Sequence, residues 1–305
     1  MALHRFVPTR WHNTLGQHEP EFHCQDGDTV IIDTLDAFGV DKDGISRASS
    51  PNPVNAPIFI EGAEPGDALC VEILRMTPTR GTGWTFTGLA ANVIDPGAIA
   101  SLPPREMVTW LIDRQMLTTR LENPPAGLEY LTLPLDPMIG CFGVAPALGQ
   151  AFSNATSAEN GGNMDYRRFG PGTTVWFPVA VPGALFSLGD GHAIQGDGEI
   201  VGTGIETTFE IEVRLSIAKG RKLVWPRGET ADDIFSIGNA RPLDQALQHA
   251  TTDMMNWLIA DYGLSSAGAS HLMGQVVRYD VGNVFDPAYT MACRIPKKWL
   301  PPKAV

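Results

Sequence analysis

The sequence predicts a mainly β protein with a sandwich or barrel core and a helical segment towards its C-terminus. Three observations lead to this fold class. The 32 glycines and 24 prolines among 305 residues interrupt the chain every few positions. Between them, short segments alternate apolar and polar side chains, as strands with one wet face do. One long segment around residue 250 follows the helical period instead.

The clearest predicted strand spans residues 209–217, where every second side chain is apolar. Shorter strands are predicted at 29–33, 68–73 and 174–181. The last of these carries Trp176 and Phe177, and Phe186 follows it; we expect these aromatic residues in the core, with one of them as a candidate wall of a small substrate pocket.

The predicted helical segment covers about residues 240–273. Pro242 suits its first turn and Gly263 its end. The predicted apolar face has a period near 3.6 and consists of Leu243, Leu247, Ala250, Met254 and Leu258. A second, short helix is predicted over 266–273. Residues 97–127 are rich in proline and lack a period, so they are expected to form a surface excursion or a small subdomain. The chain 1–305 is otherwise one unit.

Composition excludes several classes of protein. A net charge of -12 argues against nucleic acid or an anionic membrane as partner, because both require clustered Lys and Arg. No apolar run of about 18 residues is present, and the first residues lack the pattern of a signal peptide. The four cysteines are scattered without a C-x-x-C pair, which is poor spacing for a disulfide framework or a zinc knuckle. We therefore expect a cytoplasmic protein.

The most unusual composition lies between residues 161 and 206, where two Gly-rich polar clusters flank an apolar strand. The first cluster contains Asn163 and Asp165; the second contains Asp190, His192, Gln195, Asp197 and Glu199. Carboxylates and imidazole this dense need a cation or hydrogen bonds to compensate their charge. Such oxygen and nitrogen donors suit zinc or a harder divalent ion. Any single Asp-Gly pair is more often a hairpin turn, so it is the density that favours a site.

These segments resemble a known family. GDGHAIQGDGEIVGTGIE, and GGNMD followed by GTTVWFPVAVPGALFSLGD, are similar to hallmark segments of the acetamidase/formamidase family. Upstream, NAPIFIEGAEPGDALCVEI, DTLDAFG and the loop 139–146 fit in the same order, so the resemblance spans roughly 28–296. Ala56 replaces a usual glycine, and Ile194 and Ile200 stand where smaller residues are common. These departures bear on the preferred acyl group more than on the reaction.

The resemblance implies hydrolysis of formamide, acetamide or similar short amides with a bound divalent metal. It also implies a β-sandwich core with a smaller α/β part, and a homodimer. A Lewis-acidic ion, zinc by preference and with a second ion such as calcium as an option, lowers the pKa of bound water and polarises the carbonyl. A carboxylate then shuttles the proton.

Residue roles follow as hypotheses. The predicted metal ligands are Asp165, Asp190 and His192, with Asp36 as a weaker candidate. The predicted catalytic residues are Glu61, His192 and Glu199; Glu61 is either a ligand or the base. Glu199 and Asp197 either complete the site or hold a second ion, and a buried structural network is the alternative for Glu199. Asn163 and Gln195 are predicted to orient the substrate amide.

Two other functions remain open from the sequence. One is an amidase with Cys141 as nucleophile, although no acidic or basic residue is near it in the sequence to lower the thiol pKa. The other is a non-catalytic β-sandwich protein that binds a metal or a small ligand. A substituted amide or another small C–N compound is a further option for the substrate.

Overall fold

The computed structural model describes residues 1–303. The strands, in chain order, are β1 (Leu3–Phe6), β2 (Trp11–His12), β3 (Thr14–Gly16), β4 (Phe22–Cys24), β5 (Asp28–Asp33), β6 (Val54–Asn55), β7 (Ile58–Ile60), β8 (Ala68–Pro78), β9 (Thr82–Phe86), β10 (Met107–Asp113), β11 (Thr118–Leu121), β12 (Leu133–Pro134), β13 (Met138–Gly143), β14 (Ala151–Ser153), β15 (Ser157–Ala158), β16 (Gly161–Asn163), β17 (Thr174–Pro178), β18 (Ser187–His192), β19 (Glu206–Thr207), β20 (Phe209–Ala218), β21 (Arg227–Glu229), β22 (Asp233–Ala240), β23 (Arg278–Asn283) and β24 (Tyr289–Pro296). The helices are α1 (Leu243–Tyr262) and α2 (Ser266–Val276), with short 3-10 helices at Ala91–Val93, Pro96–Ser101 and Lys297–Trp299.

Two large sheets contain most of these strands. The first has nine strands in the order β1-β5-β20-β8-β17-β21-β22-β24-β23. The second has eleven, nine of them in the order β12-β11-β10-β9-β19-β18-β13-β16-β15, with β6 pairing β18 and β2 pairing β6. All pairs in both sheets are antiparallel except β1 with β5. The predicted mainly β fold class is confirmed.

The two sheets share one apolar core. Ile32 and Val213 come from the first sheet, and Phe142 and Leu188 come from the second; all four are fully buried. Each side chain of this size contributes about 1.5–3 kcal/mol by leaving water. The alternation predicted for 209–217 is confirmed, because the apolar residues of β20 point into this core and its charged residues are half-buried.

The helices cover the other face of the nine-stranded sheet and supply the smaller α/β part. Helix α1 packs on β22 and β24 through a second core that contains Met254, Trp257 and Leu258. The buried face of α1 lies nearer its C-terminal end than predicted, since Leu243 and Leu247 in its first turns are only half-buried. Helix α2 runs three residues beyond its predicted end.

Part of the segment 97–127, for which a surface excursion or a small subdomain is predicted, is a hairpin. Residues 107–121 form the β10–β11 hairpin, which extends the second sheet beyond β9. The sequence pattern missed this hairpin because most of its side chains are exposed or half-buried, so no apolar period marks it. In the described part of the chain, no helix is long and apolar enough to cross a membrane.

Candidate active site

Six ionisable side chains converge where strands β18 and β19 lie side by side. Strand β18 supplies Asp190 and His192, and β19 supplies Glu206. The other three stand in loops: after β16, after β18, and between β23 and β24. We call the six the buried cluster; its members are Asp165, Asp190, His192, Glu199, Glu206 and Asp286.

The donor atoms of the buried cluster form three overlapping groups, each within 4.8 Å. The groups are Asp165 with Asp190 and His192; His192 with Glu199 and Glu206; and Asp165 with Glu199 and Asp286. The sequence-predicted ligands Asp165, Asp190 and His192 therefore come together. Glu199, predicted as catalytic, lies beside them.

A chain of hydrogen bonds orients His192. Gln195 Nε2 donates to the Asp165 carbonyl at 2.6 Å, which leaves Gln195 Oε1 to accept from His192 Nδ1 at 2.9 Å. Nδ1 therefore carries a proton, and Nε2 faces Glu206 Oε1 at 3.0 Å and Asp190 Oδ1 at 3.4 Å. Among residues 1–303, Nε2 has no aligned hydrogen-bond partner. A histidine fixed through Nδ1, with Nε2 directed at carboxylates, has the arrangement of a metal ligand.

The charges of the buried cluster are strongly coupled. Burial and the Asp190 carboxylate raise the pKa of Asp165 well above its usual range. Burial, followed by repulsion from Asp165, does the same to the pKa of Glu199. Burial raises the pKa of Glu206 to about 8 and that of Asp286 to about 7. Five carboxylates in a low-dielectric site cannot all ionise without a compensating cation.

For the His192 imidazole, burial and the neighbouring carboxylates act on the pKa in opposite directions. Burial lowers the pKa of His192, but Glu206 and Asp190 more than offset this and raise the pKa well above its usual value. A divalent ion would displace this proton together with those of the carboxylic acids, since ligands bind metal in their deprotonated form.

Several buried polar atoms at the site lack a hydrogen-bond partner within the described residues. They are Asn163 Oδ1, Asp165 Oδ1, Asp190 Oδ1, His192 Nε2 and Glu206 Oε2. Buried polar atoms are almost always paired, so a group of five in one place needs an explanation. One nitrogen and several carboxylate oxygens form a donor set that suits zinc or a related divalent ion. The residues present therefore fit a metal.

The backbone is adapted to hold these groups. Asp165, Asp190 and Glu199 have φ values of 45°, 58° and 48°, in the left-handed region that costs energy for residues other than glycine. Gly140 lets its strand approach closely, because a Cβ there would lie 2.5 Å from Asp165 Oδ1. Asn283 Nδ2 donates at 2.7 Å both to Asp165 Oδ2 and to Glu199 Oε2.

A cavity of about 240 Å³ lies against the buried cluster. Its polar part includes Asn163, Asp190 and Glu199, and the rest of its wall is largely apolar. Asn163 was predicted to bind substrate, and it does line the cavity. Its Nδ2 donates to Asp286 Oδ2 at 2.7 Å, which leaves Oδ1 unpaired.

Three sequence-predicted residues are not part of the buried cluster. Glu61 is 43% exposed at the end of β7 and pairs with His23, with Nδ1 to Oε1 at 2.9 Å. Asp197 is exposed and pairs with Arg167. Asp36 is buried, but its carboxylate pairs with Arg80 at 2.6 Å and accepts two backbone N–H groups. The structure therefore places all three outside the buried cluster, each with a partner of its own, and their predicted roles stay predictions.

Gln195, predicted to orient the substrate, lies beside the histidine. It is not among the residues that line the cavity, and both ends of its amide are occupied by His192 and Asp165. It positions the histidine and is not placed to bind substrate.

Sequence reasoning missed Glu206, Asp286 and Asn283. Glu206 closes the Gly-rich segment and could have been included by its position there. Asp286 and Asn283 lie some 80 residues further along, in a segment without unusual composition. The pairing of Gly198 with Asn283, together with backbone hydrogen bonds between Gly198 and Val281 and between Val284 and Gly198, brings that segment to the site.

The alternative nucleophile Cys141 lies in the interior of β13. It is fully buried, and burial together with Asp190 and Asp165 raises the pKa of its thiol well above the usual value. A thiolate is therefore strongly disfavoured, and nucleophilic catalysis needs the thiolate.

Curated relatives share sequence with this chain. An acetamidase from Mycolicibacterium smegmatis is 30% identical over 246 residues, 62% of this chain and 59% of the relative. A formamidase from Methylophilus methylotrophus is 23% identical over 327 aligned positions, 90% of this chain and 76% of the relative. The match thus spans less than two thirds of the length of the mycobacterial enzyme.

Solved structures agree over nearly the whole chain. An acetamidase from Yersinia enterocolitica is 33% identical with a TM-score of 0.85, over 97% of this chain and 92% of that one. An acetamidase from Bacillus halodurans is 31% identical with a TM-score of 0.84, over 97% and 98%. The sequence profile of the acetamidase/formamidase family matches residues 3–154 and 147–249. The chain therefore belongs to the acetamidase/formamidase family.

Proposed function

We propose that this protein hydrolyses short linear amides, such as formamide and acetamide, to a carboxylate and ammonia with the help of a divalent metal. The observation that carries the proposal is that His192 Nε2, unpaired within the described residues, faces the carboxylates of Asp190 and Glu206 beside a cavity. Family membership supports the same reaction.

Asp165, Asp190 and His192 are the proposed ligands, with Glu206 next to the imidazole. The imidazole nitrogen among oxygen donors favours zinc over calcium. When bound, such an ion lowers the pKa of a water molecule and polarises the amide carbonyl. Gln195 keeps the proton on Nδ1 of His192, so that Nε2 stays available.

Glu199 is the proposed proton shuttle. Its side chain lines the cavity, and Asn283 holds only one of its two oxygens. As the water oxygen bonds to the carbonyl carbon, Glu199 takes the water proton. It then passes that proton to the amide nitrogen as the C–N bond breaks, and ammonia leaves.

Asn163 is the proposed substrate-orienting residue. Asp286 accepts from its Nδ2, and this fixes the amide so that the unpaired Oδ1 accepts an N–H of the substrate. The bond holds the leaving nitrogen in one orientation.

A second, harder ion such as calcium is proposed for the all-oxygen group Asp165, Glu199 and Asp286. Elemental analysis gives the number of ions per chain. Two ions with catalysis retained would reassign Glu199 from proton shuttle to ligand, whereas a single ion supports its role as shuttle.

The first experiment measures metal content and then ammonia release from formamide, acetamide and propionamide, before and after chelation. Release that is lost with the metal and returns on adding it back supports the proposal. Release that survives complete metal removal contradicts it. If the metal-loaded protein releases no ammonia from any of the three amides, binding of a metal or small ligand without catalysis remains as the function.

We also propose a cytoplasmic homodimer. The family resemblance supports the dimer, and the four unpaired cysteines agree with a reducing compartment. Sedimentation equilibrium of the purified chain gives its mass in solution, and a monomer at micromolar concentration would contradict the dimer.

A further inference from the structure

The cavity beside the buried cluster has a polar end and an aromatic end. Carboxylates and Asn163 form the polar end. The aromatic end is made of four rings that line the same space: Phe38, Trp84, Phe86 and Phe285. A ligand that fills the cavity must therefore combine a small polar head with an apolar body.

Trp84 is fixed by stacking and by a hydrogen bond. Its ring lies 4.3 Å from that of Phe38 with an angle of 9° between the planes. Its Nε1 donates to Asp36 Oδ2 at 3.3 Å, and Arg80 holds the same oxygen. Asp36 thus positions an aromatic wall of the cavity, which gives the DTLDAFG segment a role.

Phe285 is fixed from two sides. Arg105 lies 4.9 Å from its ring centre and 4.1 Å from that of Phe86. On the other side, the ring lies against Gly202, where a Cβ would come within 2.5 Å of it and where φ is +69°. A glycine is therefore required for the ring to occupy this position.

The cavity is larger than the simplest amides need. Formamide and acetamide have three and four non-hydrogen atoms. A volume of about 240 Å³ exceeds what either amide fills, so with its carboxamide at the polar end neither of them would cover the four aromatic rings.

We propose that the aromatic end is an acyl pocket for a flat ring, and that the preferred substrates are primary amides with an arylalkyl acyl group. This inference rests on the proposed amide hydrolysis and specifies its substrate class. The carboxamide lies at the buried cluster, and the ring contacts Phe38, Trp84 and Phe285. A substrate ring gains from burial and from edge-to-face contacts with these side chains.

Phenylacetamide is the probe, compared with acetamide and with hexanamide as a flexible apolar amide. For the metal-loaded protein we expect kcat/KM for phenylacetamide to exceed that for acetamide by at least about tenfold, from burial of the ring. Hexanamide should fall between them, because it gains burial but no ring contacts. A higher kcat/KM for acetamide than for phenylacetamide would overturn the proposed acyl pocket. It would not contradict the proposed amide hydrolysis.

Two substitutions test the walls. Phe38 and Phe285 are each 37% exposed, so Phe38→Ala and Phe285→Ala leave no large void in the core. Each should lower the ratio of kcat/KM for phenylacetamide to that for acetamide by about tenfold. The matched control is Tyr130→Ala, which removes a 78% exposed aromatic side chain that does not line the cavity. An unchanged ratio in both cavity variants would overturn the proposal.

A binding measurement separates this inference from the proposed hydrolysis. If the metal-loaded protein turns over no amide, equilibrium dialysis with phenylacetamide still tests the pocket. Binding that Phe285→Ala weakens would support the aromatic pocket while the proposed hydrolysis fails. Absence of binding would overturn the pocket as well.

Discussion

His192 is held on one side and available on the other. Gln195 Oε1 accepts a hydrogen bond from the Nδ1–H group, and the carboxylates of Asp190 and Glu206 lie next to Nε2. Both functions of the ring depend on one tautomer. The amide of Gln195 sets that tautomer because its own Nε2 is committed to the Asp165 carbonyl.

Replacing His192 by Ala should abolish metal-dependent amide hydrolysis, with a loss of at least about 100-fold, since a ligand of the proposed ion is removed. The fold should persist, as judged by circular dichroism and cooperative unfolding, because the ring supports no strand pairing. A folded variant with full activity would refute the assignment of His192 as a ligand.

Replacing Gln195 by Leu should weaken metal affinity by about 10–100-fold, measured by competition with a chelator of known affinity. The leucine cannot accept from Nδ1, so the tautomer is no longer fixed. The matched control is Asp197→Asn in the same loop, because Asp197 is exposed and pairs with Arg167 on the surface. Equal affinities in both variants would argue against positioning by Gln195.

At the scale of single residues, the site residues that could be predicted are those that lie in sequence segments of unusual composition. Asp165, Asp190, His192 and Glu199 stand among glycines, and density alone singled them out. Glu61 was chosen on motif position, and the structure shows that an exposed ion pair occupies it. Asp286 carries no local signal, because its place at the site depends on pairing between distant segments.

At the scale of elements, Asp67 joins two turns of the nine-stranded sheet. It lies just before β8 and accepts from Glu64 N at 2.9 Å, and after β20 from Gly220 N and Lys219 Nζ at 2.8 Å each. The hydrogen bond from Lys219 leads the causes that lower the pKa of Asp67 to about 2. The carboxylate therefore connects the ends of the central strand pair.

The variant Asp67→Asn should lower the free energy of unfolding by about 2 kcal/mol at pH 7, from the lowered pKa. The folded pKa is below the unfolded value of 3.8, so this stabilisation is present above about pH 4 and is lost as pH falls towards 2. Urea unfolding at pH 7 and at pH 3 measures the difference between variant and parent, which should shrink at pH 3. Glu64→Gln, an exposed carboxylate of the same turn, is the control. A difference independent of pH would contradict this origin.

Elements whose apolar side chains recur with a regular period could be predicted from the sequence. Elements without such a period could not. Strand β20 and helix α1 each bury one face, so their periods appear in the sequence. The β10–β11 hairpin has little burial on either face, so its residues carry no period. Its place in the sheet comes from backbone pairing with β9, which is independent of side-chain pattern.

At the scale of the whole molecule, the buried cluster joins the two sheets. Asp190, His192 and Glu206 belong to the eleven-stranded sheet, and Asp286 follows β23 of the nine-stranded sheet. Repulsion among these carboxylates opposes folding, and a cation would offset it. The second ion proposed for Asp165, Glu199 and Asp286 would therefore connect the two sheets.

We expect zinc to raise the melting temperature of the chelator-treated protein by about 10 °C at a thousandfold excess over Kd, equivalent to about 4 kcal/mol. Differential scanning calorimetry with and without zinc measures the shift. His192→Ala should show little of it. A shift of the same size in that variant would locate the stabilising ion elsewhere.

The contribution of Asn283 has a consequence for how the protein matures. Its side chain bridges Asp165 and Glu199, yet it is added to the growing chain more than a hundred residues after the first of them. A nascent chain that has reached residue 250 contains most of the carboxylates of the buried cluster but lacks Asn283, which aligns two of them. The proposed metal would therefore bind only after the hairpin of β23 and β24 has docked, so we expect amide hydrolysis from the fully synthesised and folded molecule alone.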